Sequence, residues 1–155
     1  VRHADLKGFS FSREDVDARS LANQYAQMLG QVFTHEMKPM EVEILVAEIG
    51  HDPAGDQLFH ILYDGTLVDE NGWCVLGGEA EAIGSRMKEQ WVEGGTFAEA
   101  LQAAVGALAG PDRTLVVSEI EVAVLDREGP RRAFRRVEDE DVTSVLGSND
   151  TNIDT

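Results

Sequence analysis

Gly77-Gly78 stands between an apolar run and a helix-like run, where the free N–H groups of a helix start attract phosphate or another anion. No further part of a phosphate loop accompanies it: neither G-x-G-x-x-G nor Gly-Lys-Ser/Thr is present, and Glu79 and Glu81 would repel an anion there. A tight strand-to-helix turn is therefore the preferred reading, with an anion-binding module or a small acidic α+β enzyme built on Gly77-Gly78 as the alternative. His3, His35, His51 and His60 show no metal-ligand spacing, and no H-E-x-x-H occurs although Glu36 follows His35. His60 alternates with Phe59 and Ile61 and is expected to be a satisfied structural residue. Asp69 and Glu70, adjacent in an extended run, would point to opposite faces, which suits surface charges better than the paired carboxylates of glycoside or metal chemistry. Ser85 and Ser118 lack a Gly-x-Ser-x-Gly context, so no serine hydrolase is supported. Cys74, the single cysteine, has Trp73, Val75 and Leu76 beside it and no basic neighbour, which reads as a buried core thiol with no internal disulfide. The expectation is no catalytic residue, no metal ligand and no cofactor.

Arg131, Arg132, Arg135 and Arg136 crowd one short window of a chain whose formal net charge is −16. Basic residues so placed could meet phosphates, but the surrounding acidic excess of 29 over 13 opposes both nucleic acid and an anionic membrane. The window fits better as the second arm of a β-hairpin spanning Ser118 to Val137. Ile120 to Leu125 is its first arm, aliphatic enough to be buried on both faces, and Gly129-Pro130 supplies turn chemistry. Arginines around Ala133 leave the second arm a thin apolar face, as on an edge strand that resists aggregation.

The elements that position these residues follow from periodicity. Arg2, Ala4, Leu6 and Lys7 read as the end of a helix. Ser12 as cap, with Glu14 and Asp15 in the first turn, predicts an amphipathic helix from Asp15 to Lys38, its core face marked by Leu21, Tyr25, Leu29 and Phe33 and its end by Pro39. Val42 to Ile49 reads as a strand covered on both sides. Leu58 to Tyr63 and Thr66 to Leu76 form a hairpin around Asp64-Gly65, interrupted at Asn71-Gly72. Glu79 to Val92 and a helix with the capping box Thr96/Glu99 follow; the face Leu101, Ala104, Val105 and Leu108 is small enough for close packing. Asp139 to Leu146 predicts a short helix.

Length and composition, 155 residues at 43% hydrophobic and 27% charged, suit one folded domain, expected over 1–146, with a disordered tail at 147–155. No apolar run is long enough to span a membrane and no signal-peptide pattern precedes Asp5, so a cytoplasmic location is expected. Hairpins with paired helices between them argue an α+β fold.

Leu21-Ala22-Asn23 with Tyr25-Ala26-Gln27, Lys38-Pro39 running into Glu41-Val42-Glu43, Tyr63-Asp64-Gly65, and the aliphatic strand before Pro130-Arg131-Arg132 and Ala133-Phe134-Arg135-Arg136 recur in one order. In that order and spacing the chain resembles the proteasome core-particle α-subunits of actinobacteria up to about Leu146. The resemblance implies a four-layer αββα sandwich of the Ntn-hydrolase type, incomplete here at the N-terminus. It also implies a non-catalytic role: α-subunits form seven-membered rings, cap the rings of catalytic β-subunits, control substrate entry and receive a ring ATPase, in a threonine-type endopeptidase complex that degrades modifier-tagged proteins. Family members carry a gate segment, a helix, four strands and the lysine pocket for activator tails ahead of the position matched by Val1, so no gating or docking residue is transferred. The catalytic β-type subunit shares the fold, but the order of Lys38-Pro39, Tyr63-Asp64-Gly65 and the arginine hairpin is α-like.

Overall fold

The computed structural model describes residues 2–10, 16–36, 38–128 and 133–147. The expectations resting on Ser12, Glu14, Asp15, Gly129, Pro130, Arg131, Arg132 and residues 148–155 lie outside them. The chain divides between Leu76 and Gly77 into two compact units.

The first unit contains helices α1 (Arg2–Ser10) and α2 (Ala18–His35) and strands β1 (Ile44–Glu48), β2 (Gln57–Ile61) and β3 (Leu67–Glu70). The strands pair antiparallel in the order β1-β2-β3, with Val46 opposite Phe59 and Ile61 opposite Leu67. The long helix starts later than expected because Asp17 is its cap. Its carboxylate accepts the Ser20 amide at 2.6 Å, and Glu48 reaches from β1 to accept the Ala18 amide at 2.7 Å. Two carboxylates thus meet the positive end of α2. At the other end Glu36 is already extended, which leaves Lys38 outside the helix.

Small residues let α2 approach the sheet. Ala18, Ala22 and Leu29 pack with Phe59 and Ile61, flanked by Tyr25, Ala26, Ile44, Val46 and Leu67. Phe33, expected on this face, is 44% exposed and meets the Tyr63 ring edge-on at 5.9 Å. The helix has by then passed the hairpin tip: a Cβ on Gly65 would lie 2.7 Å from the Gly30 amide and 2.5 Å from the Ala26 carbonyl. At that tip the Gly65 amide donates to the Leu62 carbonyl and the Leu62 amide to Thr66, both at 2.9 Å, with Gly65 at φ +88°. This is the turn that Asp64-Gly65 predicts.

Two strand expectations need correction. β1 is not covered on both sides: Ile44, Val46 and Glu48 are half-buried, whereas Leu45 and Ala47 are exposed, because α2 lies on one face. The run expected from Thr66 to Leu76 leaves the ladder after Glu70, where Gly72 turns at φ +80° and the Trp73 amide donates to Asn71.

The second unit holds helices α3 (Ala80–Gln90) and α4 (Phe97–Ala109), strands β4 (Ala123–Leu125) and β5 (Phe134–Arg136), and helix α5 (Asp139–Gly147). The capping box predicted at Thr96 and Glu99 is formed. Arg86 on α3 donates from Nε to the Ala107 carbonyl at 2.7 Å, satisfying the end of α4. The buried residues of α4 are Leu101, Ala103 and Ala107, while Leu108 of the expected face is exposed. Leu101, Val137 and Val142 form a second core, with Val105, Ile120, Val122, Val124 and Leu146 around it. β4 and β5 pair antiparallel, Val124 opposite Arg135, so the predicted hairpin exists with short arms. Its first arm is not buried on both faces. Ile120, Val122 and Val124 turn to the core and Glu121, Ala123 and Leu125 to solvent, as a two-stranded ribbon with one covered side requires. β5 is exposed throughout, as expected of an edge strand.

Candidate functional site

The pleat of the first unit's sheet sorts its polar residues. Phe59 and Ile61 face α2, so His60 between them faces the other way, and Leu45 opposite His60 brings Glu43, two residues along, to the same side. Val68 is the partner of His60 on β3, which places Glu70 on that face as well. Just past the strand, Cys74 returns to it.

These side chains meet. His60, 8% exposed, donates from Nε2 to Glu43 Oε2 at 2.9 Å. Its Nδ1 lies 3.6 Å from Glu70 Oε1, and the Cys74 thiol points at the same oxygen from 3.8 Å. A ring nitrogen of His60, a carboxylate oxygen of Glu70 and the Cys74 Sγ are mutually within 4.8 Å. Burial, and then the charge of Glu70, pushes the Cys74 thiol up to about 11, so it stands protonated and is no ready nucleophile. The arrangement can retain a proton or present nitrogen, oxygen and sulfur to a cation.

His60 is thus satisfied, as its alternation suggests. Glu70 and Cys74 differ from expectation: Glu70 is a half-buried partner of the cluster rather than a surface charge, and Cys74 is half-buried against a carboxylate rather than enclosed in apolar core. Asp69 does point the opposite way, accepting from Arg19 at 3.0 Å, while the Arg19 guanidinium lies 4.8 Å over the Phe59 ring.

The remaining candidates stay apart. Gly77 and Gly78 adopt φ +73° and +50° and lead into α3, whose start is flanked by Glu79 and Glu81, with no side-chain cap from Glu79. A turn into the helix is therefore present, but no strand leads into it, because the chain has left the ladder after Glu70. His35 contacts Thr34 and Gln31 on its own helix, and His51 is exposed. Ser85 donates to the Glu81 carbonyl, and Ser118 sits in a short 3-10 turn, Val117–Glu119. Arg136 pairs with Glu121 on the neighbouring arm at 3.1 Å, with both side chains exposed.

No family model matches the chain. Among curated proteins, it is 54% identical over 147 residues to the proteasome subunit alpha of Acidimicrobium ferrooxidans, covering 95% of the chain and 63% of that relative. It is 51% identical over 153 residues to the proteasome subunit alpha of Sanguibacter keddieii (96% and 60% covered) and 44% over 149 residues to that of Thermobifida fusca (94% and 60%). The chain therefore spans about 60–63% of the length of these relatives. The α+β mixture of both units agrees with the Ntn-hydrolase-like fold that such homology implies. Identity this high, running through nearly the whole chain, makes it a homologue of the actinobacterial proteins named proteasome subunit alpha.

Proposed function

We propose that the chain serves as a non-catalytic α-subunit of a proteasome core particle, joining other α-subunits in a seven-membered outer ring that stacks on catalytic β-subunits. The observation that carries this reading is the 54% identity to a protein named proteasome subunit alpha over 95% of the chain. An alignment of that extent must include both compact units, which supports treating 1–146 as one domain of the α type. In this role the chain positions its neighbours and controls substrate entry, while bond cleavage belongs to the β-subunits, in the cytoplasm, with a ring ATPase delivering modifier-tagged proteins. A closed ring of identical subunits uses heterologous contacts, in which one face of each copy meets a different face of the next.

The test is co-expression of the gene product containing this chain with the β-subunit of the same genome, followed by native mass spectrometry and a fluorogenic peptide assay. Seven-fold rings that associate with β, and peptide cleavage only when β is present, are expected. A product that stays monomeric and ignores β, or one that cleaves peptides by itself, overturns the assignment.

A further inference from the structure

We infer that His60, Glu70 and Cys74 form a binding site for one divalent cation of the zinc type, with Glu43 as the carboxylate that orients the histidine. Four observations converge on it. The donor set of imidazole nitrogen, carboxylate oxygen and thiol sulfur suits zinc, whereas magnesium and calcium take oxygen ligands.

The spacing is close to what such an ion needs. Ligand distances of about 2.0–2.3 Å around a tetrahedral zinc put neighbouring ligand atoms roughly 3.3–3.7 Å apart. Here Nδ1 and Oε1 are 3.6 Å apart, Sγ and Oε1 3.8 Å, and one donor atom from each of the three residues lies within 4.8 Å of the other two. Rotation of the half-buried Glu70 and Cys74 side chains closes the remainder, while His60 stays fixed.

The histidine is also oriented for ligation. Its Nε2 is held by Glu43 at 2.9 Å, which turns Nδ1 toward Glu70, and at 3.6 Å from that carboxylate Nδ1 is beyond hydrogen-bond reach. A carboxylate behind a ligating imidazole is the usual support of a zinc-bound histidine. Access completes the case. The ring is buried, but the Glu70 and Glu43 side chains are 29% and 34% exposed, so an ion can enter and keep a water at its fourth position. On binding, the thiol proton leaves to solvent, and the thiolate and Glu70 together balance the charge of the ion.

The probe is cobalt(II), titrated into the reduced, metal-free chain. Cys74 is the only cysteine, so a sulfur-to-cobalt charge-transfer band in the near ultraviolet can arise only there. Surface carboxylates of a chain with net charge −16 will also attract cobalt, but they give no such band. The expected result is a band that saturates at one equivalent per chain and is erased by added zinc. It should vanish in Cys74→Ser and need about 10- to 100-fold more cobalt in Glu43→Gln. Circular dichroism of the metal-free variants checks folding. Cys74→Ser is close to isosteric, so it remains informative should His60→Gln fail to fold. No band in excess cobalt, saturation at half an equivalent, or unchanged cobalt affinity in Glu43→Gln overturns the site.

Discussion

The two units solve the same problem with different materials. In the first, one long helix lays alanines on a three-stranded sheet, and the large side chains Phe59 and Ile61 are completely buried. In the second, α3 lies against α4, Met87, Ala103 and Ala107 on these helices are buried, and the hairpin beside α5 has three paired residues per strand, with Leu125 and Phe134 exposed. The sheet unit is built around a fully buried aromatic centre, whereas the second unit's core around Leu101, Val137 and Val142 is aliphatic and its helix ends are closed by Thr96 with Glu99 and Arg86 with Ala107. A polar cluster can then be held at fixed distances on the far side of the first sheet, because both neighbours of His60 are anchored.

That contrast is open to breakage. Phe59→Ala should have the largest effect, a loss of about 3–5 kcal/mol read from the urea midpoint, with hydrogen exchange rising first in β2. A loss below that of ordinary surface changes would show that the aromatic centre is not what holds the unit. Gly65→Ala comes next, at about 2–4 kcal/mol, since the position combines φ +88° with backbone atoms of Ala26 and Gly30 where the methyl would go. Faster exchange in α2 and the hairpin, with β4 and β5 unaffected, is the expected pattern.

Asp17→Ala should cost about 1 kcal/mol at neutral pH, the usual worth of an N-cap. The Ser20 amide, and secondarily Lys7, hold the Asp17 carboxyl below the usual carboxylate range, with partial burial opposing them. Its folded pKa is lower than its unfolded one, so the stabilisation is present above the unfolded value and is lost as pH falls through the folded value. Urea midpoints of the two proteins should therefore converge as pH drops below about 4. A gap that widens in acid would contradict the cap. The smallest effects separate two arginines. Arg19→Gln, which removes both the Asp69 pair and the stack on Phe59, should cost about 0.5–1 kcal/mol, whereas Arg136→Gln, which breaks an exposed pair, should stay within about 0.5 kcal/mol. Equal losses would erase the distinction between the units.

Local chemistry was legible in the residues. Asp64-Gly65 announces its turn, and Thr96 with Glu99 announces its helix start, because each acts through its own neighbours. The extent of β1, β3 and β4 was not, since a ladder ends where its partner ends, and whether an aliphatic strand is covered on one face or two depends on elements far away in sequence. The helix begins at Ala18 rather than Asp15 because Asp17 caps it and Glu48, 30 residues beyond Ala18, accepts the Ala18 amide, a partner that local reading does not reach. The cluster at His60 was missed for a related reason: its members come from positions 43, 60, 70 and 74, which no short motif links. A signal did exist. The turn at Asp64-Gly65 fixes the register that sets His60 opposite Val68, and counting two residues onward in β3 gives Glu70.

Lys7 joins two helices through polar contacts. Its ammonium lies 3.4 Å from Asp17 and 3.1 Å from the Ser20 hydroxyl, tying α1 to the start of α2, while Phe9 on the same short helix is 92% exposed. Ionic strength acts oppositely on this polar tie and on the apolar packing around Phe59. At 1 M salt the screening length shrinks to about 3 Å, comparable to the Lys7 to Asp17 gap, and a sulfate medium at the same time tightens apolar burial around Phe59. Concentrated salt thus works as a selective solvent for this molecule, loosening α1 while the sheet beneath α2 holds more firmly.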